Sequence, residues 1–148
     1  MEEIKAQNER KKNYLRQYQE TVRRVARIEA EIQEVRAMKM SISVAGNDGM
    51  PRGSGQGDLS SYAARLDGLE RKLISERYMR IKLYEDIAMQ IEKLSNTNEK
   101  DVLFYRYIKG LDWYDIADKM NYTERWIHEL HGKALISFKL PKEFIEIQ

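Results

Sequence analysis

Six polar residues between positions 123 and 133 have types suited to reading a nucleic-acid duplex: Thr123, Glu124, Arg125, His128, Glu129 and Lys133. An arginine can donate two hydrogen bonds to guanine, and a glutamate can accept one from cytosine N4. His128 and Lys133 suit phosphates or base edges, and Thr123 at a helix N-terminus suits a phosphate. All these roles require one open helix face. Ile127, Leu130, Ala134, Leu135 and Phe138 recur at helical spacing and would form the inward face, leaving the polar residues outside. The competing reading is a set of ordinary charges on a solvated helix.

The elements that must position them lie between Leu111 and Phe138. Two short apolar-periodic segments meet at a corner, Met120-Asn121-Tyr122. Asp112 can N-cap the first, with Asp115 near the positive end of the helix dipole. Ile116, Ala117 and Met120 then share a face. Asn121 tolerates the left-handed conformation that ends a helix, and Thr123 can cap the next one. Two helices joined by so short a turn have the form of a helix-turn-helix, and the small Ala117 would let them cross closely. Upstream, Ser95-Asn96-Thr97-Asn98 reads as a break and a cap. A buttressing helix follows from Glu99 to Lys109, and Gly110 ends it.

Residues Lys100 to Phe138 resemble the last DNA-binding region of the sigma-70 family. The resemblance runs through Tyr107-Ile108-Lys109-Gly110, Asp115-Ile116-Ala117, Thr123, Ile127, Leu130 and Ala134-Leu135. The Trp113 to Ala117 step and the ending His131-Gly132-x-Ala134-Leu135 are similar to small sigma-like proteins of prophages and integrative elements in Gram-positive bacteria. That group is in turn similar to the late-gene activators of such phages. The front of the chain and Met50-Pro51-Arg52-Gly53-Ser54 also resemble that group. The resemblance implies a sequence-specific, DNA-binding transcriptional regulator whose partners are double-stranded DNA and RNA polymerase. Sigma-like recognition helices are usually richer in arginine where this chain has Glu124, Trp126 and His128. That departure implies help from a dimer or from polymerase.

The front of the chain reads as two long helices. From Glu2 to Met40 there is no proline or glycine, and Leu15, Tyr18, Val22, Val25, Ile28, Ile32, Val35 and Met38 form a seam. Residues 41–58 read as a flexible loop rich in glycine. Gly53-x-Gly55-x-Gly57 there lacks the Lys-Ser/Thr and the preceding strand of a phosphate cradle. A second helix is expected from Asp58 to about Leu94, its seam running through Leu59, Tyr62, Leu66, Leu69 and Leu73. Glu76 and Arg80 would interrupt that seam, and Ile81, Tyr84, Ala88 and Ile91 would resume it after a stutter. The expected fold is all-α: a long antiparallel, coiled-coil-like helical hairpin at 1–97, a helix-turn-helix domain at 98–140 and a tail at 141–148. Pairing of the seams with a second copy, giving a homo-oligomer, is the alternative to a hairpin.

Composition narrows the function classes. The chain of 148 residues has no cysteine, so no disulfide framework or thiolate metal site is expected. The two histidines, in the run His128-Glu129-Leu130-His131, lack zinc-protease spacing and a third ligand. Acids alternate with Lys and Arg as on a solvated helix, with no nucleophile-base pair, so neither an enzyme nor a cofactor is expected. With no apolar span and no signal peptide at Met-Glu-Glu, the expected compartment is the cytoplasm. Net charge is +2. Basic residues concentrate before position 40, where Arg16, Arg23 and Arg27 share a face. The last third is near neutral, which argues against strong autonomous DNA binding, since phosphate neutralisation supplies non-specific affinity. Trp126 is expected to cover the helix junction, and Gly132 to serve packing. Two other classes compete: a small terminase-like DNA-packaging component, and a sigma-like interaction module that does not read DNA.

Overall fold

The structure is a computed structural model that describes residues 1–46 and 55–144. Residues 47–54, which include the Met50 to Ser54 stretch and the first glycine of the triplet, and residues 145–148 lie outside the described residues. Regular structure among the described residues is all helical: α1 (Glu2–Gly46), α2 (Gly55–Glu92), α3 (Thr97–Leu103), a wide π turn (Phe104–Ile108), α4 (Trp113–Met120) and α5 (Glu124–Ser137). Helix therefore extends into both ends of the stretch 41–58 that reads as a loop.

Contacts divide the chain into two compact units, Thr21–Met79 on one hand and Met1–Glu20 with Arg80–Gln148 on the other. The beginning of α1 and the last part of α2 group with the C-terminal helices: Lys11, Tyr14 and Gln19 of α1 touch that region directly, and Glu92 at the end of α2 pairs with Lys100 of α3 at 3.1 Å.

In the unit Thr21–Met79, Val25, Ile28, Ile32 and Leu73 form a buried cluster, with Leu66 and Leu69 packed against it. The ion pairs Arg24–Glu76 (3.1 Å) and Arg36–Glu70 (3.3 Å) show that partners on α1 and α2 run in opposite sequence directions. Each buried aliphatic side chain contributes about 1.5–3 kcal/mol. Exposed ion pairs contribute roughly 0–1 kcal/mol each. The apolar seam holds the helices together and the charges set their register. Thr21, not Val22, takes the fully buried seam position, and its Oγ1 accepts a hydrogen bond from Arg24 at 2.9 Å.

The expected stutter in α2 does not occur. In the unit containing Arg80–Gln148, Ile81 and Tyr84 are 59% and 42% exposed, while Ile87, Ile91 and Leu94 are buried. Arg80 stays half-buried in the repeat because its Nε donates to the Tyr18 hydroxyl at 3.3 Å and its guanidinium lies over the Tyr18 ring. Glu76 does so in the other unit through Arg24. Paired polar residues let a three-four repeat continue without an apolar side chain at each step.

The C-terminal helices pack as a small cluster, α3 and α4 each against α5. Val102, Leu103, Ile116, Ile127, Ala134, Leu135 and Phe138 form its core. Asn96 caps α3 by accepting from the Glu99 amide at 3.0 Å. The helix then widens: the Lys109 amide bonds back to the Phe104 carbonyl, a five-residue step. Gly110 follows at φ 71°, the left-handed region where glycine is unstrained.

Candidate nucleic-acid interface

Three local devices build the turn in front of α5. Asp112 Oδ1 accepts from the Asp115 amide at 2.8 Å and starts α4. Asn121 sits at φ 60°, ψ 43° and ends it. The Tyr122 amide bonds to Ala117 and the Asn121 amide to Asp118, the nested pair that satisfies carbonyls at a helix C-terminus. Thr123 Oγ1 then accepts from the Trp126 amide at 3.1 Å, so only three residues separate α4 from α5. Ala117 is buried against the crossing, and Asn98 Nδ2 ties α3 to the turn through the Tyr122 hydroxyl at 3.2 Å.

All six polar residues read from the sequence are exposed, from Thr123 and Glu124 at the start of α5 to Lys133. Ile127, Leu130, Ala134 and Leu135 are buried on the opposite face. The exposed residues are not equally free. The Thr123 hydroxyl is engaged as a cap. The Arg125 side chain, 91% exposed, has Nε 3.9 Å from Glu129 Oε1. Lys133 Nζ lies 4.9 Å from the Trp126 ring centroid. His128 packs against Trp113, with ring centroids 4.6 Å apart. The face thus presents two cations balanced by Glu124 and Glu129, with both cations held by neighbours on their own helix.

Three residues outside the six predicted contacts shape the site: Trp113, Arg106 and His131. Trp113 packs between α4 and α5 against both His128 and His131, under the Arg106 guanidinium at 4.2 Å. Arg106 Nη1 also donates to the Leu111 carbonyl at 3.0 Å, tying the π turn to the start of α4. Trp126, by contrast, is half-buried beside Tyr122 of the turn. His131 is buried and shares a 2.7 Å hydrogen bond with the Tyr107 hydroxyl. Burial, reinforced by the nearby Lys12 and Arg106 cations, pushes its pKa down to about 4, so it is neutral at pH 7. Paired aromatic and basic residues on successive short helices were the available signal. Which ones meet depends on the crossing.

Among the described residues, nothing meets the packing role expected of Gly132. A methyl group built there meets nothing within 4 Å.

Among the described residues, no group of three or more His, Asp or Glu side chains could hold a metal ion, and no helix is long and apolar enough to cross a membrane. No protein-family model, curated protein or solved structure matches the chain.

Proposed function

We propose that α4 and α5 form a sigma-like helix-turn-helix, carried on a helical hairpin of α1 and α2, and that the chain is a sequence-specific DNA-binding transcriptional regulator. The resemblance of Lys100 to Phe138 makes it a regulator of phage or mobile-element type acting with RNA polymerase. One observation carries the reading: the capped, three-residue turn at Asn121 to Thr123 leaves the N-terminal half of α5 as an exposed polar face over a buried apolar one. Side chains in that part of a second helix reach base edges when it lies in a major groove. Arg125 is the principal base reader and Lys133 a phosphate contact.

A second reading has its own support. Glu124 and Glu129 offset Arg125 and Lys133, so the face carries little net positive charge. That favours a sigma-like interaction module which works through a protein partner.

Selection of bound fragments from a genomic DNA library tests both. Wild type is compared with Arg125→Ala/Lys133→Ala, with and without RNA polymerase. An enriched motif lost in the double variant supports direct reading, with the Arg125 contact worth about 1–3 kcal/mol. A motif enriched only with polymerase makes the chain a sigma-like cofactor. No enrichment in either condition removes the DNA-reading proposal and leaves the interaction module.

A further inference from the structure

Away from the start of α5, an open groove of about 960 Å³ lies among α1, the last part of α2 and the segment that follows α5. Its apolar lining includes Leu83, Leu140 and Met89, the last 60% exposed. Tyr14 also lines it and is only 5% exposed, its ring set edge-on to Phe144 with centroids 5.1 Å apart. The Tyr14 hydroxyl is buried and has no hydrogen-bond partner among the described residues.

Buried hydroxyls are nearly always paired, and an unpaired one costs stability that a phenylalanine would not. An orphaned donor at the wall of a groove therefore points to an acceptor that arrives with a ligand. Four lysines line the same groove, Lys82, Lys93, Lys139 and Lys142, against the two acids Asp86 and Glu143. The surplus is positive. The apolar lining and the two carboxylates suit a polypeptide better than a phosphodiester backbone, which wants cations alone.

We propose that this groove captures an acidic peptide segment of a partner protein. One apolar side chain of that segment seats against Leu83, Met89 and Leu140. A backbone carbonyl accepts from the Tyr14 hydroxyl, and flanking Asp or Glu residues meet the lysines. The proposal does not depend on DNA reading, because its residues are separate from the exposed face of α5.

The test uses the full chain and fluorescent peptides of about 12 residues, each with one Leu, Ile, Met or Phe anchor and flanks of either Asp/Glu or Lys. Acidic-flanked peptides are expected to bind roughly tenfold or more tightly than their lysine-flanked counterparts. Tyr14→Phe keeps or raises the unfolding temperature yet weakens binding about fivefold. Lys82→Glu/Lys93→Glu weakens it by roughly tenfold or more while the unfolding temperature holds. Equal binding of both peptide sets, no binding by any acidic peptide, or unchanged binding by Tyr14→Phe overturns the proposal. So does displacement of a bound acidic peptide by duplex DNA, or self-association of the chain that Lys82→Glu/Lys93→Glu abolishes.

Discussion

The Tyr107 hydroxyl and His131 Nε2 lie 2.7 Å apart in a buried hydrogen bond that joins the π turn to the middle of α5. Neither residue stands out alone, yet the pair sets how the turn before α4 meets the helix that presents Arg125. Its neutrality has a consequence for pH. The folded chain holds the His131 pKa near 4, below the ordinary 6.5, chiefly through burial. The unfolded chain therefore takes up this proton first as pH falls.

Stability from His131 is complete above pH 6.5 and is lost as pH falls toward 4, where the loss levels off. The full effect is on the order of 3 kcal/mol. Urea unfolding at neutral and mildly acidic pH should show wild type losing more stability than His131→Gln across this window. Equal losses would show that the imidazole contributes nothing to the pH dependence.

Lys11 caps α5 from a distance in sequence. Its ammonium donates to the Leu135 carbonyl at 2.7 Å and contacts the Ile136 carbonyl at 3.3 Å, where helix carbonyls lack partners. Lys11→Met keeps the apolar stem and removes the charge. A loss of about 1–2 kcal/mol in unfolding free energy is expected. An unchanged denaturation midpoint would refute the cap.

Gly110 is required twice over. It adopts φ 71°, and an added methyl would sit 2.9 Å from Gln19 Oε1. The same Gln19 amide donates to the Ile108 carbonyl at 2.7 Å. Gly110→Ala should cost about 1–2 kcal/mol. In a Gln19→Ala background the cost of Gly110→Ala should shrink toward the backbone contribution alone. A double-mutant cycle with no coupling would contradict the contact.

Gly132 is the opposite case, a mid-helix glycine with open space around it. Gly132→Ala should stabilise the chain by about 1 kcal/mol, read as a rise of roughly 2–4 °C in Tm. A fall in Tm would show that something in the chain needs the missing side chain. A rise in Tm with weakened DNA capture would mean that an incoming partner approaches α5 at this point.

Much of the C-terminal architecture was legible from local chemistry. Asn96, Asp112 and Thr123 cap helices because each oxygen needs only an amide three residues on, a relation contained in the sequence. Asn121 ends α4 for an equally local reason, the tolerance of its backbone for positive φ. The buried face of α5 followed from spacing, and so did the exposure of its six polar residues.

The tertiary structure decided the rest. Apolar spacing placed Val22, Ile81 and Tyr84 in the seams, but Thr21, Arg80 and Ile87 occupy them. A polar residue with a partner is tolerated where an unpaired one is not, and the partner lies on another helix. The Arg106, Trp113 and His128 stack, the Tyr107–His131 bond and the Lys11 cap likewise join residues from 7 to 125 positions apart. The sequence by itself determined where α4 and α5 start and where α4 stops, because their caps and the turn between them close over a few residues. Which face each helix buries, and how far the exposed cations of α5 are held by their neighbours, depends on packed geometry that no local pattern encodes.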